Sequence, residues 1–303
     1  MTAWIRAHRA LNGSAVTLLV LTAAMWGAHG VVSRAAVGEV PPLTLVTLRW
    51  LLVCAMILPF LREDLRKAWP VLRTRKLYMC LMALSGYAGF NVLFYLAGSR
   101  TSAVNLGLLQ GAIPASVLAL GALFKGLPAR PLQFAGMALS FCGVGLIAAQ
   151  GDPLRLGALS LNSGDAMMLV ACVLYALYTV SLRDRPPLPP LVFFAGMAVA
   201  AFVESLPLFA WEIASGGFFW PSPTGWAFVL FVALFPSLMS QIFFMRAVQL
   251  IGPGRAGIFT NLTPLFGAVF AISLLGEPFH PYHAAAMILG LSGIALAEWG
   301  GRR

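Results

Sequence analysis

The feature that most limits the folds open to this chain is a recurrence of apolar stretches about twenty residues long, from one end to the other. A helix rises about 1.5 Å per residue, so about 20 residues cross the ~30 Å hydrocarbon core of a bilayer. With no water there to bond, the backbone must satisfy itself as helix. Ten segments fit: 14–34, 42–61, 76–98, 103–124, 131–149, 163–183, 189–211, 224–248, 255–275 and 281–299. Only 10% of the 303 residues are charged and 60% are hydrophobic, whereas soluble domains carry about 25% charge. So little charge cannot cover a water-soluble surface, which excludes a soluble enzyme, a nucleic-acid-binding domain and a disordered regulator. The expected fold is an all-α integral membrane protein with the lipid bilayer as its surroundings.

The net charge of +10 has a pattern that a nucleic-acid site would not need. With the N-terminus inside, Arg6, Arg9, Arg62, Arg66, Lys67, Arg73, Arg75, Lys76, Lys125, Arg130, Arg183, Arg185, Arg246, Arg255, Arg302 and Arg303 fall on the inner face. Only Arg34, Arg100 and Arg155 fall outside, and Arg49 lies within a span. The positive-inside rule therefore places both termini in the cytoplasm. Residues 1–13 form an expected cytoplasmic interfacial segment anchored by Trp4. Cys54, Cys80, Cys142 and Cys172 lie in spans without metal-type spacing and are expected to be small packing residues.

Shifting the chain against itself by about 150 residues brings its halves into register. Pro42 meets Pro190, Pro59 meets Pro207, Phe94 meets Phe244, Gly107 meets Gly257 and Pro114 meets Pro264. Gly126-Leu127-Pro128 meets Gly276-Glu277-Pro278. The expected domains are therefore 14–150 and 151–303, each holding five helices. An odd number makes the second copy enter from the opposite side, and inverted repeats in transporters place a substrate site near the midplane between copies.

The runs LTAAMWGAHGVVSRAA, Pro41-Pro42 with Arg49, GDAMMLVACVLYALYTVSLRD and LTPLFGAVFAISLLGEP resemble the EamA type of the drug/metabolite transporter superfamily. Within it, the chain is similar to the YddG-like bacterial amino-acid exporters. One departure is Leu127, where the first half has no acidic counterpart to Glu277. The resemblance implies a multi-pass protein of the bacterial inner membrane that exports a small solute, commonly an amino acid, and it implies no cofactor.

Polar side chains inside a membrane need partners or water, so those sharing a helical face mark a packed interior or a cavity. Thr22, Trp26, His29 and Ser33 share one face. Asp165, Met168, Cys172, Tyr175 and Thr179, with Tyr178 beside them, repeat the spacing. Tyr87, Asn91 and Tyr95 correspond to Ser237, Gln241 and Met245, while Gln110 and Gly111 correspond to Thr260 and Asn261. The mid-span prolines Pro114 and Pro264 remove a helical hydrogen bond each and are expected helix breaks or hinges. The expected substrate-binding set is Trp26, His29, Tyr87, Asn91, Tyr95, Gln110, Tyr175, Tyr178, Ser237, Gln241, Thr260 and Asn261. The alternative is interhelical hydrogen bonding alone, at about 0.6 kcal/mol per contact. No metal constellation accompanies His29.

Arg49 and Glu204 are the fixed charges deep in the spans, at matching depths on repeat-related helices. A buried ion pair is the favoured expectation, with separate contacts to an amino acid's carboxylate and ammonium as the alternative. Asp165, His29 and Glu298 lie nearer membrane ends, where water can reach them. Trp50, Trp69, Trp211 and Trp220 suit the interfacial belt. Gly136, Ser140 and Gly143, with Ala286, Gly290 and Gly293, form small-residue faces that serve internal packing or a homodimer.

The leading function is a secondary transporter that rocks two halves around a central cavity to export neutral or zwitterionic solutes, with amino acids the best fit. An exchanger of sugar nucleotides or phosphorylated metabolites would want several buried cations, and only Arg49 is available. An intramembrane enzyme would need a nucleophile with its base, or metal ligands, and no such arrangement is evident. A structural membrane protein would not need duplicated polar faces.

Overall fold

The computed structural model describes residues 14–98, 100, 109–127, 130–149, 151–152, 154, 162–275 and 280–302. Their regular structure is helical: α1 (Ala15–Ala35), α2 (Pro42–Ile57), α3 (Arg62–Thr74), α4 (Lys76–Gly98), α5 (Ala112–Lys125) and α6 (Pro131–Ala148). Then follow α7 (Ser163–Ser181), α8 (Pro190–Ala214), α9 (Pro223–Ile251), a broken α10 (Pro253–Ile258, Phe259–Asn261, Leu262–Leu275) and α11 (Pro281–Arg302). The all-helical class is the one expected. Seven helices, α1, α2 (with its 3-10 extension to Phe60), α4, α7, α8, α9 and α11, are long and apolar enough to cross a membrane, against ten segments in the sequence reading. The shortfall has local causes. Segment 103–124 begins outside the described residues, α6 is a shorter apolar helix, and α10 is interrupted by a 3-10 turn three residues before Pro264. The interfacial segment 1–13 and Glu277 also lie outside the described residues.

The chain starts and stops its helices with local chemistry. Pro42 and Pro190 open α2 and α8 at a position where the missing N–H costs nothing. Ser222 caps α9 by accepting from Gly225 N at 2.9 Å. Gly126, at φ +57°, ends α5 in the left-handed conformation that glycine adopts without strain. Asp165, expected at a hydrated membrane end, is instead buried. It accepts from Asn162 N at 2.9 Å while Asn162 Oδ1 accepts from Gly164 N and Asp165 N, a capping box that uses the carboxylate to start α7.

Packing follows the repeat. α1 lies against α9 and α10 while its counterpart α7 lies against α4 and α5, so each half lends its first helix to the other. Gly27 makes the first of these approaches possible, since a Cβ there would sit 2.7 Å from Phe266 Cβ. α2 packs on α8, and α6 on α11. The small-residue faces of α6 and α11 meet each other: a Cβ on Gly136 would lie 2.5 Å from Gly293 O, and Ser140 Oγ donates to Gly290 O at 3.0 Å. The faces that left a homodimer open are thus used up within the chain.

Both α4 and α9 widen into π-helical turns at repeat-related places, Leu84–Ala88 and Ala233–Met239. In α9 the cause is Pro236, which has no N–H to give; the Ser237 hydroxyl takes up the Val232 carbonyl instead. Such bulges shift the side chains after them around the helix and recur at functional sites.

Candidate functional site

The π-turn of α9 presents Ser237, and α4 presents Asn91 and Tyr95, to a buried Arg49 on α2. Arg49 Nε donates to Ser237 Oγ at 2.7 Å, and Nη1 donates to Asn91 Oδ1 at 2.8 Å and to the Tyr95 hydroxyl at 3.4 Å. Asn91 Nδ2 donates to the Tyr87 carbonyl one turn earlier, which turns its oxygen toward the guanidinium. Tyr95 bonds His29 Nε2 at 2.7 Å. The Tyr95 hydroxyl thus lies between the Arg49 guanidinium and the His29 ring. His29, expected where water reaches, is therefore buried against Tyr95 and Phe94.

Every partner of Arg49 is neutral. The sequence favoured a pair with Glu204, and the structure corrects this: Lys125–Asp184 is the one ion pair among the described residues. Glu204 is only half-buried, and its Oε2 has no hydrogen-bond partner. Matching depth was insufficient because Glu204 lies off the buried stripe of α8 that carries Phe194, Ala198, Ala201 and Ser205. Arg49 is thus surrounded by dipoles but not neutralised, and its three hydrogen bonds leave Nη2 out.

On the other side of this layer the aromatic residues interlock. Trp26 Nε1 donates to Ser240 Oγ at 2.9 Å and meets Tyr175 edge-on at 5.6 Å. Tyr175 leans on Tyr178 at 5.4 Å, and Tyr178 on Tyr87 at 5.5 Å. The Tyr178 hydroxyl donates to Gln241 Oε1 at 3.3 Å. Trp50, assigned to the interfacial belt, is instead 1% exposed and stacks on Tyr87 at 4.7 Å, since the face of α2 it shares with Arg49 turns inward. Trp69, Trp211 and Trp220 are exposed, as a belt requires. Cys54 and Cys172 are buried, with Cys172 Sγ donating to Leu109 O at 3.2 Å, whereas Cys80 and Cys142 are exposed on their helices.

Three expected residues stand apart from this network. Thr260 Oγ1 bonds Gly257 O at 2.8 Å, Gln110 is half-buried with no hydrogen bond among the described residues, and Asn261 is buried with both amide atoms unpartnered. They lie beside the breaks that Pro114 and Pro264 produce, the turn at Gly111 and the 3-10 turn Phe259–Asn261.

The sequence reading missed Ser240, hidden in a run of apolar residues, and Glu212. Helix α2 begins at Pro41-Pro42 with no side chain able to cap it. Glu212 of α8 supplies the cap, accepting from Leu43 N (2.9 Å), Thr44 N (2.7 Å) and Thr44 Oγ1 (2.7 Å). A bare proline-initiated helix was the signal, because its N–H groups must find an acceptor elsewhere. Nearby, Ser222 donates its N–H to Glu39 O at 3.0 Å and its hydroxyl to the Glu39 carboxylate. Both bonds join one repeat to the other at the same end of the molecule. At the opposite end Tyr78 donates to Ser181 O at 2.7 Å and Lys125 meets Asp184.

The EamA-like transporter family model matches residues 13–149 and again 162–299, once for each repeat. An uncharacterized transporter of Archaeoglobus fulgidus is 27% identical, over 94% of this chain and 98% of its own. The uncharacterized transporter YyaM of Bacillus subtilis is 24% identical over 90% and 89%. YicL of Salmonella typhimurium, named an uncharacterized inner membrane transporter, is 23% identical over 94% and 95%. A solved crystal structure superposes with a TM-score of 0.74 at 20% identity, over 95% of this chain and 97% of that one, which shows a shared fold. These names carry no substrate, and the YddG-like branch stays an expectation of the sequence. With a duplicated match over nearly its whole length and a helical membrane fold to go with it, the chain belongs to the EamA-like transporter family, membrane transporters of the drug/metabolite transporter superfamily.

Proposed function

We propose that the protein exports neutral amino acids, or solutes of the same zwitterionic kind, across the bacterial inner membrane by alternating access. The observation that carries this reading is Arg49: a buried guanidinium whose hydrogen bonds go only to neutral groups and leave Nη2 over. A buried charge is costly unless compensated, and a substrate carboxylate would both neutralise it and accept from the spare Nη2 N–H groups. Trp26, Tyr175 and Tyr178 offer ring faces to an ammonium group or an apolar side chain, and Gln241 and Asn261 offer amides. A phosphate ester brings about two charges and would leave one unpaired beside a single arginine.

The moving parts in this proposal are the packing units α1/α9/α10 and α4/α5/α7, which cross the boundary between repeats. Ten spans with both termini inside complete the arrangement, on the strength of the charge asymmetry. The test is uptake of labelled neutral amino acids into proteoliposomes, with competitors that differ at one end. Free amino acids should compete, their carboxamides should not, and Arg49→Gln should lower flux at least tenfold. Carboxamides competing as well as the acids would overturn the carboxylate role, and flux of phosphorylated metabolites alone would favour the exchanger.

A further inference from the structure

Helix α3 has no counterpart in the second repeat. At Pro59 the chain leaves α2, turns through Leu58–Phe60 and runs on as a separate helix, whereas at the matching Pro207 helix α8 continues unbroken to Ala214. The corresponding connection, 215–222, carries no charge. An element present on one side only of an otherwise inverted repeat serves something that differs between the two sides of the membrane.

The two faces of α3 are chemically distinct. Leu61 and Ala68 are buried and Leu65 and Leu72 half-buried, at the spacing of one face, and a Cβ on Gly196 of α8 would lie 3.2 Å from Leu72 Cδ2. Beside that seam, Arg62, Arg66, Trp69 and Arg73 follow one another at i, i+4, i+7 and i+11 and are all exposed, Trp69 by 61%. None of the three arginines has an ion-pair partner among the described residues. Glu63 and Asp64 project from other sides of the helix. Phe60, Leu77 and Leu81, on the adjoining ends of α2 and α4, are exposed apolar groups that need a hydrocarbon neighbour. Cations held beside such groups, with a tryptophan among them, match the level at which hydrocarbon meets phosphate.

We infer that the Arg62–Arg66–Trp69–Arg73 face of α3 is a docking surface for the headgroups of anionic phospholipids in the leaflet on its side of the membrane. The arginines meet headgroup phosphates while Trp69 lies at the carbonyl level between them. Because the other face of α3 rests on α8, the bound lipid is held against the body of the transporter. The inference does not depend on the transported solute.

The test uses the purified full-length protein. Native mass spectrometry with equal amounts of phosphatidylglycerol and phosphatidylcholine should show preferential retention of phosphatidylglycerol. That preference should fall about fivefold for each arginine removed in Arg62→Gln, Arg66→Gln and Arg73→Gln. A control changing Arg75, Arg130 and Arg183 to Gln should keep most of it. Should the triple variant fail to fold, brominated lipids answer with the intact protein: brominated phosphatidylglycerol should quench tryptophan emission more than brominated phosphatidylcholine, and Trp69→Phe should abolish the difference. Equal retention in triple variant and wild type, an equal loss in the control, or quenching differences that survive Trp69→Phe would overturn the assignment.

Discussion

Replacing Glu212 with alanine should be among the more destabilising changes available in this protein, although the residue lies far from the Arg49 network in sequence and in role. The carboxylate is 5% exposed and receives two backbone N–H groups and one hydroxyl from the first turn of α2. Removing it leaves Leu43 N and Thr44 N without acceptors, at about 1–3 kcal/mol per stranded buried donor. The Thr44 hydroxyl can rotate away, so the sum is about 2–6 kcal/mol. Part of that is the loss of a negative charge at a helix N-terminus. For a chain of this size, roughly 2 °C of melting temperature accompanies each kcal/mol, so Glu212→Ala should melt about 4–12 °C below wild type in detergent, followed by tryptophan fluorescence. Glu212→Gln keeps one acceptor oxygen and should lose about half as much, and Thr44→Val should lose less again. In the double variant Glu212→Ala/Thr44→Val the two effects should fall short of their sum, because the hydroxyl has already lost its partner. A Glu212→Ala protein melting within about 1 °C of wild type, or a Gln variant as unstable as the Ala variant, would refute the capping argument.

Other substitutions probe the aromatic layer and the topology. A Cβ on Gly86 would lie 2.4 Å from Tyr178 Cγ, so Gly86→Ala should displace that ring, cost about 1–3 kcal/mol and cut flux, while Gly30→Ala, with nothing within 4 Å, should do neither. Ser240→Ala strands the Trp26 indole N–H and should destabilise by about 1–2 kcal/mol. In Trp26→Phe the same serine change should cost less, since only the Ser240 hydroxyl's bond to Pro236 O is then lost; equal effects in both backgrounds would deny the bond. In a cysteine-free background, a probe at position 217 should label from outside the cell and one at position 73 should not, and the reverse pattern would invert the proposed topology.

Much of the architecture was legible in the primary structure because bilayer physics acts on composition and length. A backbone without water must be helical, and a span needs about 20 apolar residues. The 150-residue echo was legible too, and the paired π-turns at Leu84–Ala88 and Ala233–Met239 show the echo reaching into backbone geometry. Helical spacing alone puts Trp26, Tyr175, Tyr178, Tyr87 and Gln241 onto facing surfaces, since polar groups that recur every turn must share a partner. It could not say which partner. Arg49 and Glu204 matched in depth, but depth is one coordinate. Rotation about the helix axis decides contact, and only packing sets it.

The choice of partners therefore belongs to the tertiary structure. Composition determined that the chain is a helical membrane protein, and the motifs determined its family, because both depend on what residues are present and how they are spaced. That Arg49 answers to Ser237 and Asn91, that Glu212 closes a helix 168 residues away in sequence, and that α1 and α7 each pack into the opposite half depend on where helices cross. Those crossings are set by glycines such as Gly27 and Gly136, which let backbones approach, and by the need of each buried donor to find an acceptor. Both conditions are properties of the assembled bundle and of no single segment.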